Sequence, residues 1–173
     1  TGNKLFEKSG SEKCVGRLLN SPGNFTLSKL KWVKDNQPEI YEKMQPYLVL
    51  AERLGRLQAQ LGEGQLKRIT VEYRGDVTAY PTSPLTSAVL KGIMETVSNA
   101  AVNFVNAPLF AQERGVGVDE LRSSEHEDYA SLITVVYHTD KGERLLSGTL
   151  FGRSEPRLVR LDEYSFDADP AGH

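Results

Sequence analysis

The 173-residue chain holds 39% hydrophobic and 25% charged residues, with 6 Phe, 7 Tyr and 1 Trp. That is enough apolar material for one ordinary domain with a little left over, and too little length for a two-domain enzyme of the dinucleotide-binding kind. The mean hydropathy is -0.41 and the net charge is -2. No stretch approaches the run of about 18 apolar residues that a membrane span needs. The lone Cys14 excludes an internal disulfide and favours a reducing, cytoplasmic setting. The chain opens Thr1-Gly2-Asn3-Lys4 with no basic or apolar leader, as expected of a piece of something longer without a secretion signal.

Charge is unevenly spread. Residues 1–44 carry +3 and residues 45–173 carry -5, which suggests a boundary near residue 44. The lysines of the arm alternate with acids, mostly at helical spacing, so they read as a solvated face and not as a nucleic-acid contact. Residues 1–25 are rich in Gly, Asn, Ser and Lys, with a turn signal at Ser21-Pro22-Gly23-Asn24. Asn24-Phe25-Thr26 matches a glycosylation pattern that carries no meaning without a secretion signal. Thr26 or Ser28 can cap a short helix with Leu27, Leu30, Trp32 and Val33 as its apolar stripe, which Pro38 interrupts.

A longer amphipathic helix is expected from Pro46, with Leu50, Leu54, Leu57 and Leu61 at spacings of three and four and a glycine stop at Gly62. Residues 67–74 alternate, with Ile69, Val71 and Tyr73 on one face, and read as a half-buried strand. Ser83-Pro84 opens a second helix whose buried side holds Leu85, Val89, Leu90, Ile93, Met94 and Val97. A third helix is expected over residues 103–114, ended by Gly115. The remainder is strand-rich: a short strand around Val116, Val118 and Leu121, then residues 132–138 and 144–151 joined by the hairpin Thr139-Asp140-Lys141-Gly142, then residues 157–161. Residues 167–173 read as an exit linker. The order predicts an α+β domain, helices packed on a mixed or antiparallel sheet, behind an irregular or helical N-terminal arm.

Catalytic signatures are thin. His126, His138 and His173 have no metal-ligand spacing, and there is no HExxH, CxxC, GxSxG or P-loop. Gly115-Val116-Gly117 lacks the third glycine and preceding strand of a dinucleotide fingerprint, so no cofactor site is expected in this chain. Glu125, Glu127 and Asp128 read as a solvated loop. Basic residues at element ends are more informative, because a small anion needs two or three convergent cations or hydroxyls. Arg74 ends a strand, Lys91 lies in the second helix, Arg122-Ser123-Ser124 forms a turn, and Arg153, Arg157 and Arg160 follow the last strands. On a regular strand Arg157 and Arg160 point to opposite faces. Spacing alone leaves an anion site and ordinary surface arginines both open.

The words themselves go further. Tyr47-Leu48-Val49-Leu50-Ala51-Glu52-Arg53-Leu54-Gly55, Val71-Glu72-Tyr73-Arg74-Gly75-Asp76, Val102-Asn103-Phe104-Val105-Asn106-Ala107-Pro108, Glu113-Arg114-Gly115, Ser123-Ser124-Glu125, Gly148-Thr149-Leu150-Phe151-Gly152 and Glu155-Pro156-Arg157-Leu158-Val159 occur in that order. Over residues 45–173 the chain resembles the intervening domain of long-form D-3-phosphoglycerate dehydrogenases. A similar domain in iron–sulfur L-serine dehydratases is the alternative, and a purely structural oligomerisation module is another.

The resemblance implies an α+β regulatory and assembly domain that binds a small phosphorylated or carboxylate anion and helps build a homo-oligomer. It also implies that the catalytic core, the NAD site and the serine-binding ACT domain lie outside this chain, which is not catalytic alone. The matching anion-binding residue after the Gly148-to-Gly152 block is Arg157, with Arg74, Lys91, Arg122, Ser123 and Ser124 as further candidates. The family arginines beyond the final Phe-Asp are not matched, because Ala168-Asp169-Pro170 stands there. Residues 1–44, through Phe25-Thr26-Leu27-Ser28-Lys29-Leu30-Lys31-Trp32-Val33-Lys34 and Gln37-Pro38-Glu39-Ile40-Tyr41, look similar to a fragment of FGGY-type carbohydrate kinases such as xylulokinases. That fragment lacks the ATP-binding parts, so a fusion and an inert arm are expected.

Overall fold

The computed structural model describes residues 31, 34–126 and 128–170. Cys14, the Asn24 pattern, His173 and most of the expected first helix lie outside the described residues.

The first long helix, α1 (Pro38–Leu61), starts earlier than expected and runs unbroken through residue 44, where Met44 is fully buried. Pro38 takes a first-turn position, where its missing N–H costs nothing. Pro46 therefore lies inside the helix and does not open it. It sits in a stretch where Glu42, Lys43 and Gln45 are exposed, so water can take the bond that the ring denies to a carbonyl one turn back. The helix ends as expected, with the Gly62 N–H bonded to the Gln58 carbonyl at 2.8 Å.

Strand β1 (Leu66–Gly75) buries Ile69, Val71 and Tyr73 and leads through a 3-10 turn (Asp76–Ala79) into helix α2 (Ser83–Val97). The apolar face of α2 is as expected except at Val97, which is 43% exposed at the last turn. Helix α3 (Ala107–Glu113) is shorter than expected, because Asn103 and Asn106 cap each other's turn through backbone N–H bonds of 2.7–3.1 Å and hold residues 103–106 outside the helix. Five strands follow: β2 (Gly117–Ser123), β3 (Ser131–Thr139), β4 (Gly142–Phe151), β5 (Glu155–Leu161) and β6 (Tyr164–Ala168). Arg122 and Ser123 thus belong to a strand and not to a turn, and Asp167 and Ala168 form part of a sixth strand and not of an exit linker.

The protein is an α+β domain with a mixed six-stranded sheet in the order β2-β1-β3-β4-β5-β6; β1 and β2 are parallel and every other pair is antiparallel. The β3–β4 hairpin turns on Asp140-Lys141, with Thr139 and Gly142 paired. Helices cover one face. Leu50 and Leu54 of α1 lie over Gly148, where a Cβ would stand 2.7 Å from Leu50 Cδ1. Helices α1 and α2 touch backbone to backbone, because Gly55 faces the Val89 carbonyl and Gly92 faces the Glu52 carbonyl. Gln58, fully buried, ties α1 to the sheet by donating to the carbonyls of Val135 (2.6 Å) and Arg144 (2.9 Å).

The register fixes what the other face carries. Leu146 and Gly148 lie toward the helices, so Ser147 and Thr149 point away, and their partners on β5 are Arg160 and Arg157. The pairing slips between Ser147 and Gly148, leaving Val159 as an extra residue on β5. That bulge puts Leu158 and Leu161 both on the core side, so Arg157 and Arg160 share the opposite face, which is open in that no helix among the described residues covers it, though Ser147 and Thr149 on it are buried. The strand is not regular there, and the opposite-face expectation fails for that reason.

Candidate functional site

The six candidate anion-binding residues fall into four separate places: Lys91, Arg122, Arg74 with Ser123 and Ser124, and Arg157. Lys91 lies on α2, on the helix side of the sheet, where its Nζ bonds Glu52 Oε1 at 2.6 Å and Glu95 Oε1 at 3.2 Å, 5.2 Å from the Phe104 ring centre. Arg56 closes the cluster onto Glu52 (2.9 Å) and Glu95 (3.0 Å). Burial alone would raise the Glu95 carboxyl, but the hydrogen bonds from Arg56 and Lys91 outweigh it and hold the group below the usual carboxylate range. Lys91 is thus a clasp between α1 and α2.

Arg122, on β2, shares the helix side with Glu120 and contacts its Oε2 at 3.1 Å. Glu120 accepts Thr86 Oγ1 at 2.6 Å and Thr82 Oγ1 at 2.9 Å, while the Tyr73 hydroxyl lies 2.8 Å from Thr86 Oγ1. The Thr86 proton goes to the carboxylate, so Tyr73 donates. Burial would raise Glu120, and the bonds from Thr86, Arg122 and Thr82 overcome it, leaving its carboxyl below the ordinary value. Burial also pushes the Tyr73 phenol well up, despite its bond to Thr86. Among the described residues, Glu120 is the only charged one lining a groove of about 550 Å³ beside this chain, between α2, α3 and β2, so the lining offers an anion no cation. Sequence reasoning missed this Tyr73–Thr86–Glu120 chain, since its three members lie in three elements with no shared spacing.

Arg74, Ser123 and Arg157 lie on the open face. Arg74 and Ser123 are register partners across β1 and β2, and Arg74 is held by Glu72 Oε1 at 2.7 Å. Ser123 Oγ accepts the Glu125 N–H at 3.2 Å, and Ser124 is exposed just past the strand. Arg157 stands three strands away on β5, roughly 14 Å at the usual strand spacing. The two arginines therefore do not converge on one ligand.

Arg157 is held more loosely than the other candidate cations, Lys91, Arg122 and Arg74. Its nearest carboxylates are Asp167 at 3.6 Å and Glu155 at 3.7 Å, beyond the 2.6–2.8 Å of the Lys91–Glu52 and Arg74–Glu72 pairs. Its guanidinium stands 5.8 Å from the Phe151 ring centre, and Thr149 is its cross-strand partner. Arg160 shares the face, its Nε donating to the Asp162 carbonyl at 2.9 Å. Arg153 occupies the β4–β5 turn at φ 72°, next to Gly152 at φ 56°. Arg157 thus lies mid-strand on β5, with Arg160 farther along the same face toward the β5–β6 turn and Arg153 at the opposite end of the strand.

Residues 43–162 match the family model for the D-3-phosphoglycerate dehydrogenase intervening domain. The chain is similar to D-3-phosphoglycerate dehydrogenases from Synechocystis sp. (37% identical over 134 residues, 77% of this chain and 24% of the relative), Archaeoglobus fulgidus (33%, 79% and 26%) and Bacillus subtilis (29%, 77% and 25%). It spans about a quarter of the length of these curated relatives. The match begins at residue 43, so it gives no support to a kinase-like origin for the arm. By its residues and its matched span, the chain belongs to the D-3-phosphoglycerate dehydrogenase intervening-domain family.

Proposed function

We propose that residues 45–173 are a regulatory and assembly domain of an NAD-dependent D-3-phosphoglycerate dehydrogenase of serine biosynthesis, with residues 1–44 as an arm. The domain binds a small phosphorylated or carboxylate anion at the Arg157 end of the open sheet face and is not catalytic alone. NAD, the catalytic core and the ACT domain belong to the rest of the parent, which works as a homo-oligomer in the cytoplasm. Among the described residues no helix is long and apolar enough to cross a membrane.

The observation that carries this reading is the loose hold on Arg157. A guanidinium with carboxylates at 3.6–3.7 Å, half-buried against an aromatic ring, can turn its fork to a phosphate or carboxylate without first breaking a close ion pair. Arg160 adds positive charge from the same face of the same strand. Arg74 with Ser123 and Ser124 is a second, weaker locus, since Glu72 must be displaced first. Coupling such a site to a catalytic core requires that the anion prefer one arrangement of the domains over another.

The test is calorimetric titration of the chain with 3-phosphoglycerate, phosphohydroxypyruvate and inorganic phosphate at low salt. Saturable heat with at least one of them, lost in Arg157→Ala, is expected. No heat with any of them overturns the anion site, and unchanged affinity in Arg157→Ala overturns its placement.

A further inference from the structure

The groove between α2, α3 and β2 lies on the helix side of the sheet, away from Arg157, and neither the anion site nor the α1–α2 clasp uses it. Leu90, Pro108, Val116 and Val118 supply its apolar wall, and Leu90 and Val116 are buried, so an apolar guest seated against them leaves water. At about 550 Å³ it has the size and mostly apolar lining of a small-molecule site with a few placed polar groups. Among those groups are Thr86 from the first turns of α2 and Glu120 from β2. Glu120 is fixed by its neighbours. Thr86 Oγ1 donates to its Oε1 at 2.6 Å, while Thr82 and Arg122 donate to its Oε2 at 2.9 and 3.1 Å. These bonds keep the carboxyl ionised at neutral pH. A carboxylate oxygen has two acceptor positions, and Thr86 is the one donor that the described residues give Oε1, so that oxygen keeps a second position. Arg122 holds the other oxygen and stands outside the lining.

We propose that this groove binds a small amphipathic ammonium ion, a primary amine on a short alkyl or cycloalkyl body, whose N–H donates to Glu120 Oε1 while the body lies against Leu90, Pro108, Val116 and Val118. Charge complementarity selects this class. Glu120 is the only charged residue in the lining among those described, and a bond from an ammonium to a carboxylate is of the stronger, charge-assisted kind. The carboxylate is already held in place by three donors, so little side-chain freedom is lost when the amine arrives. A phosphate or a carboxylate finds no cation in the same lining, which sets this site apart from the one at Arg157.

The test is amide chemical-shift titration of the full labelled chain at pH 7 with cyclohexylamine, which is protonated there as a lysine is, beside cyclohexanol and cyclohexanecarboxylate as neutral and anionic analogues of the same shape. The expected result is saturable shifts at Leu90, Val116, Val118 and Glu120 with the amine, at an affinity on the order of 1–10 mM. Binding should be at least about tenfold weaker for the alcohol and for the amine with Glu120→Gln, and undetectable for the carboxylate. Gln112→Trp, which sets a large ring across the groove from an exposed position on α3 and leaves the bonds of Glu120 alone, should abolish the shifts. No saturable shifts with the amine, or shifts scattered over exposed carboxylates elsewhere, overturn the site. Equal affinity for the alcohol overturns the role of Glu120 and with it the ammonium class, and binding that survives Gln112→Trp overturns the placement. If circular dichroism shows Glu120→Gln unfolded, the alcohol comparison and Gln112→Trp decide. The anion titration is independent of all these outcomes.

Discussion

Replacing Gly92 by alanine tests whether the backbone contact between α1 and α2 is the tightest joint of the domain. A Cβ at residue 92 would stand 2.1 Å from the Glu52 carbonyl oxygen and 2.7 Å from the Arg56 nitrogen, both backbone atoms that no rotamer change can move. Carbon and oxygen approach comfortably only to about 3.3 Å, so α2 must withdraw by roughly 1 Å. That withdrawal loosens the packing of Val89, Leu90, Ile93 and Met94 at once, and overpacking of this kind costs about 1–3 kcal/mol or more. The gain of about 1 kcal/mol from a better helix former offsets part of it. A net loss of about 2 kcal/mol lowers Tm by roughly 4–8 °C in a chain of this size, measured by thermal denaturation. Gly55→Ala, which meets the Val89 carbonyl oxygen at 2.1 Å, should cost a similar amount. The double variant should cost less than the sum, because one separation relieves both clashes. Gly115→Ala is the control, since open space surrounds it and only its φ of 68° opposes the change, at about 1 kcal/mol. A Tm for Gly92→Ala equal to or above that of the unaltered chain would refute the reasoning.

Three other perturbations have defined outcomes. Tyr73→Phe removes the proton given to Thr86 and leaves a buried oxygen under-bonded, which should cost about 1–2 kcal/mol in urea denaturation; a neutral result would contradict the chain to Glu120. Glu120 has a folded-state carboxyl below its ordinary value, so its contribution is present above the usual carboxylate range and is lost as pH falls through the depressed value. The Tm gap between the unaltered chain and Glu120→Gln should therefore narrow between pH 7 and pH 3, and a constant gap would refute it. Asp162 stands at φ 51° and accepts the Leu145 N–H at 2.8 Å. Asp162→Ala should destabilise by about 1–2 kcal/mol and Asp162→Asn by much less, both by thermal melts; equal losses would refute the turn role.

What could be read from the sequence was whatever rests on local periodicity. The alternation at Ile69, Val71 and Tyr73 gives β1 its face directly, and Ser83-Pro84 marks α2 because N-terminal prolines have a local cause. Pro38 and Pro46 each satisfy that same rule, and only the burial of Met44 and Tyr47 against the sheet and α2 decides that one helix contains both. β6 escaped although Tyr164, Phe166 and Ala168 alternate with Ser165 and Asp167: a run of five that leads straight into Asp169-Pro170 reads as a linker, four of its five residues are exposed, and its start depends on Asp162 adopting a positive φ. The parallel pairing of β2 with β1 is set by the α2–α3 crossover, which no short window contains. At the candidate site, Arg157 was marked by family resemblance, but its company was not. The bulge at Val159, which brings Arg160 to the same face, comes from the fit of β5 to β4.

The central claim is a location as much as an affinity, and amide chemical-shift mapping of the labelled chain with 3-phosphoglycerate tests both together. The account expects saturable shifts centred on Thr149, Phe151, Arg157 and Arg160, with little change near Lys91 and Glu52. Shifts that centre on the α1–α2 clasp, or a spectrum unmoved at millimolar ligand, would contradict it.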